Sequence, residues 1–463
     1  MNSPEVEGSV SCAVVHGSTV QGSVIAPPSK SHTIRAFVLA SLADGESIIR
    51  NPLLDGDGAS ALKACQALGA IVDGPVAASV SGSRAAERAG TIIRLKGTNS
   101  ALVDGNVSID VGNSGTTLTL VSGIAALRRG ITRFDGDASI RRRPVKSLLD
   151  ALFALGASTS CNPGGVCPCT VAGTLRGGMT TVDGSNSQFT SSLLIASALG
   201  RGDAIILPEH LREQPYVRMT LAWMRELGAV VHDDFPIRFH VPGGQRYQAF
   251  DKTVPGDWSS AAFALCAGAL TGTVTVTGLY PDDAQGDKAI LDVLRQMGSR
   301  VDWARQDTGG KDGTEGGCRN VTVSKTALRG VCVNLSDTPD LLPILAVVAT
   351  QAEGETILYG CAHARSKETD RIAVMAKELA LLGADIEATA DGLRVRRSQL
   401  RGAMVHSHAD HRVAMALSVA GLVAADETII ADVGCASITY PGFYRMLERI
   451  GAKVSVTQER VSR

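Results

Sequence analysis

The sequence predicts an α/β chain of two domains, each built from three copies of one unit that holds a buried helix, a surface helix and several strands. Three observations predict it. An amphipathic helix ending in an apolar residue, Gly, then Ala or Ser recurs six times: 61–68 before Gly69, 148–155 before Gly156, 220–227 before Gly228, 290–297 before Gly298, 373–382 before Gly383 and 443–450 before Gly451. A second kind of helix is apolar on nearly every side, as at 190–199, 261–270, 341–349 and 413–424. A helix without a polar face must be buried all round. Finally, 463 residues exceed what one ordinary core accommodates.

Each recurring Gly suits the left-handed position that closes a helix. The residues after it usually alternate as a strand, as in Ala229-Val-Val-His or Ala452-Lys-Val-Ser-Val. The closing glycines lie 68 to 87 residues apart, wider than the roughly 20–50 residues of a solenoid repeat. Six units with buried helices divide into two three-unit domains better than they close as one parallel barrel. The boundary falls near 245–257, where Pro242-Gly-Gly has just broken the pattern and Pro255-Gly256 is a second turn signal. The Gly-rich, charged stretch 307–319 reads as an exposed loop.

Composition narrows the class. Hydrophobic residues make up 44% of the chain but aromatics only 4%, so the core is one of Ala, Val, Leu and Ile. A net charge of −1 gives no reason to expect a nucleic-acid partner. No apolar run reaches the ~18 residues of a membrane span, and Met1-Asn-Ser-Pro-Glu-Val-Glu lacks the basic and apolar regions of a signal peptide. A cytoplasmic protein is expected. Of ten cysteines the only close set is Cys161, Cys167 and Cys169, without the paired spacing and nearby His of a zinc site. Reduced thiols and no metal are expected.

Seven stretches carry candidate chemistry. Ala26-Pro-Pro-Ser-Lys-Ser-His-Thr-Ile-Arg35 enters an apolar helix and offers hydroxyls, backbone donors and two cations to an anion. Gly112-Asn-Ser-Gly-Thr-Thr117 exposes N–H groups at another helix start, without the Gly-Lys-Ser/Thr ending of a P-loop. Ser139-Ile-Arg-Arg-Arg-Pro144 concentrates positive charge ahead of a helix. Gly184-Ser-Asn-Ser-Gln-Phe-Thr-Ser-Ser192, Asp337-Thr-Pro-Asp340 and Ala409-Asp-His-Arg-Val413 each open a buried helix. The seventh, Arg365-Ser-Lys-Glu-Thr-Asp-Arg371, has five charged residues in seven, in a chain where 20% are charged. Every one of these has a plain reading, a capped helix start or solvated surface charge, with Asp370 or Thr369 as the cap in the last case. Their common placement favours the sharper one. Buried helices pointing their N-termini the same way would sum their dipoles on one face of each domain, and two such faces would make an anion-binding cleft.

These residues resemble the EPSP synthase (3-phosphoshikimate 1-carboxyvinyltransferase) family of enolpyruvyl transferases, which also include UDP-N-acetylglucosamine carboxyvinyltransferase. Ser29-Lys30-Ser31 with Arg35, Asn113-Ser-Gly-Thr116, Arg143-Pro144, Ser187-Gln188-Phe189, Asp340, Lys367-Glu368-Thr369-Asp370-Arg371 and Asp410-His411-Arg412 are similar to its blocks, in order, between about Gly22 and Val456. Ser-Lys-Ser in the first block, and no Cys near Arg143, favour the shikimate branch. The resemblance implies two domains of three βαβαββ units with buried parallel helices, an inside-out α/β barrel, hinged and closing over substrate. Residues 28–253 would form the acceptor-side domain, inserted between 1–27 and 254–463, which form the domain carrying phosphoenolpyruvate and the acid–base pair. It further implies a monomer without metal or organic cofactor that moves the 1-carboxyvinyl group of phosphoenolpyruvate onto a hydroxyl of 3-phosphoshikimate. Glu368 would then be the acid that protonates the methylene, and Asp340 the base for the acceptor hydroxyl, with Lys30 assisting. Lys30, Arg143 and Gln188 would hold the phosphate of phosphoenolpyruvate, and Arg371 and Arg412 its carboxylate. Ser31 and Arg35 would take the shikimate carboxylate, Ser187 and Lys367 the acceptor phosphate. Gly115, Asn186, Tyr216 and His411 complete the expected substrate-binding set.

Four positions depart from the family pattern. Thr119 stands where an Arg is usual, Ile438 where a phosphate-binding Lys is usual, Glu213 where a phosphate-binding Ser is usual, and Asn186 where a Ser is usual. Losing one charge-assisted hydrogen bond costs about 1.5–3 kcal/mol, a weakening rather than an abolition. A carboxylate about 4 Å from an acceptor phosphate is worse, repelling each unit of charge by about 4 kcal/mol at an effective dielectric near 20. Two further readings therefore stay open: a transferase on the same scaffold acting on a nucleotide or an unphosphorylated cyclitol, and a catalytically silent anion-binding protein. The retained acid–base pair speaks against silence.

Overall fold

The computed structural model describes residues 9–74, 91–99, 101–305 and 319–460. The N-terminal stretch 1–7 and nearly all of the glycine-rich segment 307–319 lie outside the described residues.

Twelve helices alternate in kind among the described residues: α1 (Lys30–Leu42), α2 (Gly56–Ala67), α3 (Gly115–Ala125), α4 (Lys146–Ala154), α5 (Ser187–Leu199), α6 (Gln214–Glu226), α7 (Trp258–Thr271), α8 (Ile290–Gln296), α9 (Leu342–Ala349), α10 (Arg371–Leu381), α11 (His411–Gly421) and α12 (Phe443–Arg449). The odd-numbered ones are buried nearly throughout; every residue of α3, α7, α9 and α11 is buried. The even-numbered ones bury one face and end at Gly69, Gly156, Gly228, Gly298, Gly383 and Gly451, whose φ angles of +87° to +112° only glycine adopts without strain. Four of them start earlier than apolar periodicity indicates: α2 at Gly56, α4 at Lys146, α6 at Gln214 and α10 at Arg371. Each of these starts opens on glycine or a polar side chain, which periodicity does not register.

Around each buried helix lies a four-stranded sheet, and six such sheets are present among the described residues. In one, Val107–Asp110 runs parallel to Thr132–Asp135 with α3 as the crossover; Val166–Gly173 and Ala157–Asn162 follow antiparallel. The other five repeat this order, which is the βαβαββ plan. The strand expected at 229–232 begins only at His232. The reason is local: the Gln245 side chain accepts from Val230 N at 2.6 Å and donates to Val230 O at 3.0 Å, replacing ladder bonds.

The chain divides into two compact units, Pro28–Pro255 with Ala284–Gly286, and Met1–Pro27 with Gly256–Asp283 and Asp287–Arg463. Three strands join sheets far from them in sequence. Asp251–Thr253 pairs with Glu46–Arg50, while Ser9–His16 and Gln21–Ile25 complete two sheets of the second unit. Each unit has its own core, of Ala, Val, Leu and Ile above all. Fully burying each large aliphatic side chain contributes about 1.5–3 kcal/mol. Each unit is an inside-out α/β barrel, with its helices central and its sheets outside.

In the second unit α7, α9 and α11 pack on one another. Their C-terminal ends, including Thr271, Gln351 and Leu422, line one cavity of about 1010 Å³. The residues that begin α9 and α11 meet at the opposite end through shared ion pairs. The helices are therefore parallel, and their N-termini lie together.

Candidate active site

The first unit gathers Lys30, Ser31, Arg35, Gly115, Arg143, Asn186, Ser187, Gln188 and Tyr216 onto or beside the starts of α1, α3, α5 and α6. Ser29 caps α1, its Oγ accepting from His32 N at 3.5 Å, which sets Lys30 and Ser31 in the first turn. Lys30 Nζ lies 3.1 Å from Asp57 Oδ2, and both side chains are largely buried. The Asp57 carbonyl accepts from Thr117 Oγ1 at 3.4 Å, so the starts of α1, α2 and α3 converge.

Arg35 is spent on protein partners. It donates through Nε to Thr220 Oγ1 at 2.8 Å, and through Nη1 and Nη2 to the Ser31 and Tyr216 carbonyls at 3.1 Å each. Burial pushes its pKa down to about 10, against the opposing influence of Tyr216 and Glu213. Glu213 precedes α6 in the left-handed region, φ +48°, without a side-chain capping bond, and is 3% exposed. Ser187 Oγ donates to Glu213 Oε2 at 2.8 Å. The carboxylate thus stands directly on a hydroxyl expected to bind acceptor phosphate. Asn186 caps α5, accepting from Gln188 N at 3.1 Å.

Gly115 has a steric reason to be glycine. A Cβ there would sit 2.4 Å from Arg143 Nη1, so only a bare backbone lets that guanidinium lie against the first turn of α3. Thr119 supplies no cation; its Oγ1 donates to the Gly115 carbonyl at 2.8 Å inside its own helix. Ile438, half-buried, ends the 3-10 helix Val433–Ile438 of the second unit.

The second unit gathers Asp340, Lys367, Glu368, Arg371, His411 and Arg412. Its hub is Arg371, 1% exposed, which donates through Nη1 to Asp340 Oδ1 at 2.7 Å, through Nη2 to Glu368 Oε2 at 2.6 Å, and through Nε to Asp410 Oδ2 at 2.8 Å. Burial alone would lower its pKa, but Asp410, Glu368 and Asp340 together hold it well above the usual range. Asp340 Oδ2 accepts from Arg412 Nη2 at 2.7 Å, so both oxygens of this carboxylate are held by guanidiniums. Arg412 is 2% exposed, and its Nε and Nη1 find no hydrogen-bond partner among the described residues. Two buried, uncommitted guanidinium N–H groups mark a place for an anion.

Caps fix these side chains. Asp370 caps α10, accepting from Ala373 N at 3.0 Å, and is braced by Arg365 Nη1 at 2.7 Å. Asp410 caps α11, accepting from Arg412 N at 2.9 Å. Burial would raise the Asp410 pKa, yet Arg371 and His411 keep it below the usual range. The turn before it is strained, with His408 at φ +55° and Ala409 at φ +58°. Buried Glu378 of α10 holds that turn, accepting from His406 N at 2.9 Å and facing His408 Nε2 at 2.7 Å.

Sequence reasoning did not single out Asp57, Glu378 or Asp287. Asp57 lies in Asp55-Gly-Asp-Gly58, which reads as a turn; only its placement under Lys30 gives it a role. Cys167 and Cys169 are buried, with their sulfurs 3.8 Å apart in one strand. Among the described residues no group of three or more His, Cys, Asp and Glu could hold a metal ion, and no helix is long and apolar enough to cross a membrane.

Two parallel-helix barrels with such helix mouths define a class, the two-domain inside-out α/β barrel proteins. The solved EPSP synthase of Acinetobacter baumannii has this fold: it aligns with a TM-score of 0.78 at 25% identity, over 97% of this chain and all of that one. The enolpyruvyl transferase NikO of Streptomyces tendae aligns with a TM-score of 0.75 at 19% identity, a likeness of fold. The family model for EPSP synthase (3-phosphoshikimate 1-carboxyvinyltransferase) matches residues 14–447. The 3-phosphoshikimate 1-carboxyvinyltransferase of Methanocorpusculum labreanum is 41% identical over 448 residues, 95% of this chain and 98% of that protein. Its namesake from Methanothrix thermoacetophila is 42% identical over 443 residues, again 95% and 98%. The chain belongs to the EPSP synthase family.

Proposed function

We propose that the protein transfers the 1-carboxyvinyl group of phosphoenolpyruvate to a hydroxyl of 3-phosphoshikimate and releases phosphate. The observation that carries the chemistry is the Arg371 cluster, where two carboxylates with acid–base capacity, Asp340 and Glu368, hang on one buried guanidinium beside a second, Arg412, with N–H groups to spare. Family membership at 41–42% identity over nearly the whole chain supplies the substrates.

In this reading Glu368 delivers a proton to the methylene carbon, leaving C2 electron-poor. The acceptor oxygen forms a bond to C2 as its proton passes to Asp340. The tetrahedral adduct carries both a phosphate and a carboxylate, so it needs fixed cations. Breaking the C2–O bond to phosphate and returning a methyl proton to Glu368 restores the vinyl group, and the proton on Asp340 leaves with the phosphate. Lys30, Arg143 and Gln188 serve the phosphate, and Arg412 the carboxylate. Arg371 positions the two acids, because its donors are already engaged with carboxylates. Ser31, Ser187, Tyr216 and Lys367 serve the acceptor, Arg35 positions Ser31 and Tyr216 through their carbonyls, and Gly115, Asn186 and His411 shape the surrounding helix starts.

A different acceptor is not favoured, since full-length relatives at this identity carry the 3-phosphoshikimate name. The expected working form, a cytoplasmic monomer, is checked by sedimentation and cell fractionation. The reaction itself is tested by mixing purified protein with both substrates and following phosphate. Release that requires both supports the reading; release with another acceptor but never with 3-phosphoshikimate overturns it.

A further inference from the structure

Asp287 lies in the 3-10 helix Gly286–Ala289, ahead of α8, and is completely buried. Its Oδ2 accepts from Ser259 Oγ of α7. Its Oδ1 finds no hydrogen-bond partner among the described residues, a costly condition for an ionised carboxylate out of water. The charges that bear on it come from three buried helices: Asp340 ahead of α9, Arg412 of α11, and Asp257, which caps α7. The neighbouring Lys288 gives no help, because its ammonium is committed to the carbonyls of Pro281 and Asp283 at 3.1 and 2.7 Å. Arg412 is thus the cation nearest in influence, and it is the residue with two uncommitted N–H groups.

We propose that Asp287 is a proton-linked positioning residue for the anion site at Arg412, taking up a proton when an anion binds there and releasing it when the anion leaves. The inference rests on the reading that Arg412 receives the carboxylate of phosphoenolpyruvate. The physical reason is repulsion. An incoming carboxylate at Arg412, which already holds Asp340, adds negative charge to the field that the buried Asp287 carboxyl feels, and protonating Asp287 removes that repulsion without moving any side chain. Burial, then the charge of Asp340, pushes the Asp287 pKa up to about 7, against Arg412 and Ser259, so the exchange falls near neutral pH. Affinity for the anion should be flat below that pH, and above it should fall up to about tenfold per pH unit, one proton being bound per anion.

The test compares wild type with Asp287→Asn, which keeps the shape and cannot ionise. KM for phosphoenolpyruvate is measured from pH 5.5 to 8.5 for both, and the ratio of the two values is taken at each pH, so that ionisation of the substrate cancels. The wild-type to variant ratio is expected to be constant below about pH 6.5 and to climb about tenfold between pH 7 and 8.5, with the kcat ratio unchanged. A ratio that stays constant across the range overturns the proposal. If neither protein turns over with 3-phosphoshikimate, the proposed function fails separately, and the linkage is read from calorimetric Kd values for phosphoenolpyruvate under the same ratio criterion. Far-ultraviolet circular dichroism checks that the variant is folded; if it is not, proton uptake by wild type on binding phosphoenolpyruvate, beyond that of the ligand, decides the matter, and none between pH 7 and 8.5 overturns the proposal.

Discussion

At the start of α1, Lys30 pairs with the carboxylate of Asp57 at 3.1 Å; at the start of α10, Arg371 meets three carboxylates, all within 2.8 Å. The two units share one βαβαββ plan, yet they equip their helix mouths differently. The unit of α1 to α6 relies on hydroxyls, helix N-termini and cations set singly, as where Arg143 lies over Gly115. The unit of α7 to α12 packs acids and guanidiniums into one buried network. The difference teaches that a repeated scaffold separates two tasks. Dispersed donors suit holding anions that arrive with their own charge. A network of opposed charges suits holding carboxylates at fixed orientation, because each is restrained by a rigid guanidinium fork.

The contrast can be broken most severely at Glu368. Glu368→Gln keeps the hydrogen-bonding shape but offers no acidic proton, and should lower kcat by about 10²–10⁴-fold while substrate binding persists. Steady-state kinetics with a binding assay checks both halves. Next is Arg371→Met, which strands Asp340, Glu368 and Asp410 without their shared cation. Leaving buried charges unpaired costs about 3–5 kcal/mol, read as a drop in the urea midpoint; the equivalent change at Lys30, which pairs with Asp57, should cost clearly less.

Stability against pH sharpens the same contrast. Asp287 has a folded pKa of about 7, above the ~3.9 of an unfolded Asp. Its contribution to stability is therefore fully present below about pH 4 and is lost as pH rises to about 7, by a few kcal/mol in all. Asp287→Asn should raise the unfolding temperature over wild type at pH 8 and much less at pH 5. Smaller effects belong to the first unit. Glu213→Ser removes a buried negative charge from Ser187 and should lower KM for 3-phosphoshikimate by about tenfold to a hundredfold, the equivalent of 1.5–3 kcal/mol. Gly115→Ala should raise KM for phosphoenolpyruvate by up to about tenfold by pushing the Arg143 guanidinium off the helix start.

Much of the fold is legible in the residues. The six helix–Gly endings announce the repeat because left-handed closure leaves a local mark, and all six glycines have positive φ. The buried helices declare themselves by lacking a polar face. First residues that are glycine or polar hide the starts of α2, α4, α6 and α10, and the Gln245 side chain displaces a strand from Val230. The harder misses are tertiary. Asp57 reaches Lys30 from 27 residues away, and Asp287 joins groups from three other helices. Neither sits in a pattern, since a lone carboxylate acquires meaning only from its neighbours in the fold. Glu213 stands out of place in the sequence, but its contact with Ser187 emerges only from the coordinates.

The most direct measurement is phosphate released by the purified protein from phosphoenolpyruvate with and without 3-phosphoshikimate. Release is expected only when both are present, one phosphate for each enolpyruvyl ether formed. Release that ignores 3-phosphoshikimate, or appears only with an unphosphorylated acceptor, would contradict the proposed transfer.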